Sequence, residues 1–475
     1  MRIERVVAVP AVGAGYYEDL AALRAGHVPL PQRFTTRPHT PGFRAVREVA
    51  EAVSVGLVLA PSAGPGRRAV AWGDCLAGPA LAIGEPFERV PLFRAAQGLK
   101  TVRQVVAPAL EGQPLAEFRT LAAQVDALTE TVEIIRRRPP PEPAEEGGLS
   151  RRALLTAPAR ALQAARGEEA AQERAAKERG TVERVPVQQQ LHSAIRYGLS
   201  QALLQAVALA RGATMAEVIA GEWGLSRPES AVPIQARSGH ERYYDAEKMI
   251  ARRVAALPTA AVDDVGAEVG PNGGEMTRYL RWLAARIGTL GGEGYRPMIH
   301  LDLQGVLGEI VNRQPGQMLG QLYAWELAAQ PYKLRIEDPV IEASRPAQIA
   351  AFKRLREYVH FRQMGVELVA GAWVDTPQDI DAFLEAGAVD AIHVRMPELG
   401  GVHQAVEAVL ACRAAGVGVL LGDSRAGTEL SARALAHTAL AAQPDLVLAG
   451  PGLGVDEAVS LVQNEMARSL AVMAL

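Results

Sequence analysis

Two carboxylates, Asp302 in HLDLQG and Glu337 in RIEDP, each end a short apolar run that reads as a buried strand. Carboxylates at the ends of neighbouring strands are hard oxygen donors of the kind an octahedral magnesium ion takes. A third is expected from the next run, VELVAGAW, but its end offers Gly371 and Ala372, which carry no ligand atom. The run after that, AIHVRMPELGG, ends in Arg395, with His393 two residues earlier and therefore on the same strand face. An arginine stays protonated up to a pKa above about 12, so Arg395 cannot take a proton near neutrality. His393 is the titrating group left on that run.

In chain order the strand-end positions are Arg237, Thr259, Asp302, Glu337, Gly371, His393 with Arg395, and Asp423-Ser424-Arg425, before a closing GPGLG. Arg237, Arg395 and Arg425 bring three permanent cations to one place, and their planar forks suit carboxylate or phosphate ligands. They could also pair with Asp302 and Glu337 as counter-charges in place of a metal. Two unit charges ~4 Å apart interact by ~4 kcal/mol at an effective dielectric of ~20, so a divalent cation beside such groups is expected to bind poorly. His300 shares the face of Asp302 but lies deeper and reads as a core hydrogen-bonding residue. His240 and Glu241, after the first run, are further candidates for the pocket. GPGLG is a weak phosphate signal, because glycine turns after strands are common.

Such residues converge only if the strand ends do. From Val187 onward a helix-patterned stretch, QQLHSAIRYGLSQALLQAVALARG, is followed by eight β-rich runs separated by amphipathic stretches such as Thr277–Ile287, Ala347–His360 and Val402–Ala415. That alternation predicts an α/β fold with a parallel (β/α)₈ barrel, whose active site lies at the C-terminal strand ends. Residues 1–135 read as α+β, with strands in RIERVVAVPAV, VSVGLVLAP and GRRAVAWGDC. Helical periodicity runs through PLFRAAQGLKTVRQVVAPALEG and PLAEFRTLAAQVDALTETVEII. Successive prolines in Arg136–Gly148 break the pattern. The Ala/Glu/Arg-rich stretch 149–180 reads as an exposed, mostly helical insertion or a partner-binding arm. Three segments result: 1–135, 136–186 and 187–475.

The chain of 475 residues is long enough for this organisation, and 49% hydrophobic with 22% charged residues is ordinary for a globular protein. A net charge of −3 without a long basic run argues against a nucleic-acid partner. Cys75 and Cys412 form neither a disulfide framework nor a metal pair, which suits a reducing cytosol. The N-terminus has no signal-type apolar region, and no apolar run reaches ~18 residues, so no membrane span is expected.

Several phrases resemble methylaspartate ammonia-lyase, a family of the enolase superfamily: LHSAIRYGLSQALL, SGHERYYDAEKMI, HLDLQGVLG, LRIEDP, MPELGGVH and GPGLGVDEAV. GFRAVREVAEAVSVGLVL and GDC fit the family's N-terminal capping domain, and residues ~135–185 look inserted relative to the family. The resemblance implies a homodimer and magnesium-dependent removal of ammonia from 3-methylaspartate, with a lysine and a histidine as bases. Placed on this chain, the first two metal carboxylates fall on Asp302 and Glu337 and the third on Gly371. The lysine falls on Arg395 and the histidine on Thr259. Substrate-contacting glutamines fall on Arg237 and His393, and a Thr-Cys pair falls on Ser424-Arg425.

Three readings follow. The first is a diverged relative without the magnesium-dependent reaction, binding a small amino acid, carboxylic acid or phosphate in an arginine-rich pocket. It needs no cofactor, and Mg²⁺ only if the ancestral site persists. The second is an active carbon–nitrogen lyase for a 3-methylaspartate-like amino acid. Its rebuilt site would use His393 or His240 as base and Asp375, Asp423 or Glu367 as replacement ligand. The third is a non-catalytic scaffold that meets a protein partner through 136–186.

Overall fold

In the computed structural model, residues 1–26, 28–61, 68–78, 92–137, 182–258, 262, 264–423, 426–450 and 452–475 are described. The first three strands are β1 (Arg2–Glu18), β2 (Arg47–Ala60) and β3 (Ala69–Cys75), and they form an antiparallel sheet in that order. On β2, Val53, Val55, Leu57 and Leu59 are fully buried, the period of two that a one-sided sheet requires. The edge strand β3 is covered by the helix Ser193–Arg211, whose Gln205 Oε1 accepts from the Trp72 N–H at 2.6 Å and Gln201 Oε1 from the Asp74 N–H at 3.3 Å. Those side chains satisfy donors that an edge would otherwise leave open. The approach is close because Gly73 has no Cβ; one placed there would run into the Gly198 carbonyl oxygen.

The expected helix through residues 114–135 is shorter than its periodicity suggested. It spans Phe118–Asp126, and the chain then turns into a strand, β4 (Thr129–Arg137), paired antiparallel with β5 (Val182–Gln190). TETVEII is rich in β-branched residues, which lose side-chain freedom in a helix and favour a pleated surface. Residues Thr129–Gln190 form one compact unit, and Met1–Leu128 with Leu191–Leu475 form another. The stretch 149–180, read above as helical, lies outside the described residues.

Eight parallel strands close the expected barrel: β6 (Ile234–Gln235), β7 (Ala256–Leu257), β8 (Met298–Asp302), β9 (Leu334–Glu337), β10 (Val366–Ala370), β11 (Ala391–Arg395), β12 (Gly418–Gly422) and β13 (Leu446–Leu448). The intervening helices bury one stripe against the strands. On Arg345–Phe361 the buried residues include Phe352, Leu355 and Val359, at spacings of three and four. Phe352 meets Phe383 of the next helix edge to face, and burying each ring contributes about 1.5–3 kcal/mol. Among the described residues, no single helix is long and apolar enough to cross a membrane.

Candidate functional site

Asp302 stands opposite Glu337 in the β8–β9 register, so the two carboxylates named from strand ends are neighbours, both almost fully buried. A third joins them. Asp338 is the residue after Glu337, and one ligand oxygen from each of Asp302, Glu337 and Asp338 lies within 4.8 Å of the others. Consecutive residues of a strand point to opposite faces, which is why alternation assigns Asp338 away from the pocket. The chain departs from that rule here: Asp338 has a φ of 45°, in the left-handed region that aspartate tolerates better than most residues. The peptide frame stays tied to both neighbours, because the Asp338 N–H donates to the Val369 carbonyl at 3.0 Å and its carbonyl accepts from the Gly305 N–H at 2.7 Å. Its carboxylate then accepts from the N–H groups of Gly371 at 3.0 Å and Ala372 at 2.8 Å. Position 371 has no side chain, as the sequence shows, and supplies a backbone donor; a third carboxylate stands beside the two expected ones, from β9's own end.

Glu337 is gripped on both oxygens. His393 Nδ1 lies 2.8 Å from Oε1 and His300 Nε2 lies 3.0 Å from Oε2. Burial alone would raise its pKa, but the His393 charge and the bonds from both imidazoles hold it well below the usual carboxylate range. Asp338 moves the opposite way: burial, then the charges of Glu337 and Asp302, push it well above that range, against the Gly371 amide. Arg237 reaches Asp302 Oδ2 at 3.5 Å, a long contact between nearly buried side chains.

Arg395 ends β11 as predicted, its side chain 10% exposed. It donates to Asp375 Oδ1 at 3.2 Å and lies 3.9 Å from Glu398 Oε1. Burial works against the cation, but Glu398 and Asp375 outweigh it, so the guanidinium is held above even its ordinary range. Asp375 is set by the next helix, where Thr376 and Asp379 form a capping box and Asp379 Oδ2 accepts from the Asp375 N–H at 3.2 Å. His393, on the same face of β11, is 4% exposed; among the described residues its Nε2 has no hydrogen-bond partner, and it stands where a Cβ on Gly422 would fall.

The pocket is less arginine-dominated than the sequence suggested. Its described cations, Arg237 and Arg395, both sit on carboxylates, and Asp423 adds another buried acid, accepting from the Tyr197 hydroxyl at 3.3 Å. Of the proposed replacement ligands, Asp375 serves Arg395, Asp423 meets Tyr197, and Glu367 pairs with Arg335 at 2.6 Å; none joins the acidic trio. Exposed His240 lies 3.0 Å from Arg47 Nη1 of β2, and Glu241 is exposed. Thr259, Ser424 and Arg425 lie outside the described residues, as does Pro451 of GPGLG.

The trio fits a divalent metal in donor type: three buried oxygen donors converge, and each hydrogen-bonded oxygen keeps a further lone pair. The position that would crowd it, 371, is a glycine.

Residues 227–475 match the family model described as methylaspartate ammonia-lyase C-terminus, and residues 1–175 and 163–224 match that of the N-terminus. Methylaspartate ammonia-lyase 2 of Carboxydothermus hydrogenoformans is 34% identical over 474 residues, covering 100% of this chain and 99% of that protein. The crystal structure of the Citrobacter amalonaticus methylaspartate ammonia lyase containing (2S,3S)-3-methylaspartic acid superposes with a TM-score of 0.80 at 32% identity, covering 100% of both chains. The magnesium complex of β-methylaspartase from Clostridium tetanomorphum gives 0.77 at 30% identity, covering 100% of this chain and 99% of that one.

Proposed function

Because the chain belongs to the methylaspartate ammonia-lyase family, we propose that it binds a small amino or carboxylic acid at the barrel mouth and lacks the family's lysine-and-histidine proton chemistry. The observation that carries this reading is Arg395. It is a buried cation fixed between Asp375 and Glu398 at the strand end, and it has no lone pair to accept a proton from carbon. The same group is suited to orient a ligand carboxylate, with Arg237 on the other side of the trio. Acids around the pocket favour a ligand that also carries an ammonium group, which places an amino acid ahead of phosphate. A relative's structure is a magnesium complex. In this chain Asp302, Glu337 and Asp338 would hold such an ion, which would polarise a ligand carboxylate when bound. The buried thiols Cys75 and Cys412 suit a reducing compartment.

The second reading, an active lyase with His393 as base, is favoured by one feature. Glu337 holds Nδ1 and so orients the imidazole, while among the described residues Nε2 has no hydrogen-bond partner; in the neutral ring it is the nitrogen that can take a proton. One experiment separates the two. The protein at high concentration, with Mg²⁺ and 3-methylaspartate, is followed by ultraviolet absorbance and by thermal denaturation. The first reading expects a rise in Tm, lost in Arg395→Ala, and no absorbance of an unsaturated acid. Absorbance that grows with time and disappears in His393→Asn establishes the second reading and removes the first.

A further inference from the structure

Gly371 and Asp338 fit each other as a pair. An ideal Cβ on Gly371 would run into Glu337 Oε1 and lie 2.9 Å from Asp338 Oδ2. The volume a side chain of β10's end would occupy is therefore filled by carboxylates that reach it from β9. Asp338 gets there only through its left-handed backbone, φ 45°, which turns its carboxylate onto the Gly371 and Ala372 amides. An L-residue pays strain in that region, and strain kept at a pocket marks a side chain whose place matters.

We infer that Asp338 is the third acidic ligand of a divalent-cation site with Asp302 and Glu337, occupying the place that Gly371 leaves without a side chain. The inference rests on the family reading for the identity of the ion but not on whether ammonia is eliminated. Its geometry is local. The three oxygens lie within 4.8 Å of one another, close enough for a common ion with oxygen bonds of roughly 2.0–2.1 Å for Mg²⁺. Three side-chain donors leave three of six octahedral positions for water and for a ligand carboxylate. The hydrogen bonds already present act as an outer shell: His300 and His393 orient Glu337, and two amides orient Asp338. Among the described residues, Arg237 competes for the site at 3.5 Å from Asp302 Oδ2.

With the ligand at 338, position 371 has no room for a side chain beside Glu337 and Asp338. A side chain at 371 and a carboxylate at 338 claim the same volume.

The test is Mn²⁺ binding by the full-length protein, read by electron paramagnetic resonance of free Mn²⁺ and by calorimetry, without substrate or turnover. The wild-type chain is expected to bind one Mn²⁺, and Asp338→Asn to weaken binding by at least about tenfold. Circular dichroism and thermal denaturation establish that Asp338→Asn is folded. Asp338→Glu, which keeps a carboxylate at the same position, is expected to recover part of the binding lost in Asp338→Asn. If Asp338→Asn binds Mn²⁺ as tightly as the wild type, Asp338 is not a ligand. If the wild type binds none, the trio is not a cation site. Either result leaves the amino-acid reading standing as long as Tm still rises with the amino acid alone. A metal site that survives loss of that rise instead isolates the failure in the ligand reading.

Discussion

At the scale of single residues, glycine 371 is a packing constraint before it is a missing ligand. A Cβ there overlaps Glu337 Oε1, whose carboxylate is pinned by two imidazoles and cannot swing aside cheaply. Gly371→Ala is therefore expected to destabilise the protein by about 1–3 kcal/mol, the usual cost of overpacking a filled interior. Thermal denaturation of the single variant checks this, and an unchanged Tm would mean that the acidic trio is looser than its contacts indicate. The sequence made Asp302, Glu337 and Arg395 legible because each lies at a strand end with the parity that faces the barrel mouth, and His393 because it shares the parity of Arg395 two residues on. Asp338 was not legible for the same reason. Its parity points it outward, and only a backbone reversal brings it in. An Asp-Pro step directly after a strand-end glutamate was the available signal, since aspartate is among the few residues that accept such a φ. His240 failed in the other direction: a loop position has no parity, and its ring ended beside Arg47.

Among elements, the period of two and the period of 3.6 separated strands from helices throughout the barrel, where each run is short and bounded by loops. They failed at 129–135, where charged residues alternate with β-branched ones directly after a helix and either period can be traced. The helix that stops there, Phe118–Asp126, is anchored by its last residue. Asp126 Oδ1 accepts from Arg196 Nη1 at 3.1 Å, and Oδ2 accepts from Gln404 Nε2 at 2.7 Å and faces His403 Nε2 at 2.7 Å. One carboxylate thus ties three helices, Phe118–Asp126, Ser193–Arg211 and Val402–Ala414. Burial raises its pKa, but the bond and charge of His403 and the charge of Arg196 lower it further, so the net direction is down. A carboxyl whose folded pKa is depressed contributes stability that is complete above its ordinary value of about 3.9 and is lost as pH falls through the folded value. Asp126→Ala should cost about 2 kcal/mol near neutral pH, because it strips partly buried donors of a charged acceptor. The difference from wild type should shrink below pH 4. A difference that stays constant through the acid range would remove the electrostatic account and leave only lost packing.

For the molecule as a whole, the larger compact unit is assembled from two lengths of chain, Met1–Leu128 and Leu191–Leu475. They meet where the Leu191 N–H donates to the Leu128 carbonyl at 3.4 Å. The chain therefore leaves that unit and re-enters it at one point, so the ends are already held together whatever lies between them. Loop-closure entropy grows only with the logarithm of loop length, which makes such a point tolerant of length changes. Beyond it β4 and β5 stay paired from Thr129 opposite Gln190 to Arg137 opposite Val182. A variant in which residues 138–181 are replaced by Asn-Gly, the sequence preferred in a two-residue hairpin turn, should keep that register. It is expected to fold with a Tm within about 2 °C of the wild type, since a 1 kcal/mol change moves a domain larger than 150 residues by only about 2–4 °C. It should also retain the rise in Tm with an amino acid and the binding of Mn²⁺, because every residue assigned to either lies in the larger unit. If both responses vanish while the circular dichroism is unchanged, the excised segment contributes to the site, and the assignment of binding to Arg237, Arg395 and the acidic trio alone fails. If they persist, the segment is free to serve a different purpose from the pocket, the condition that a partner-binding arm must meet.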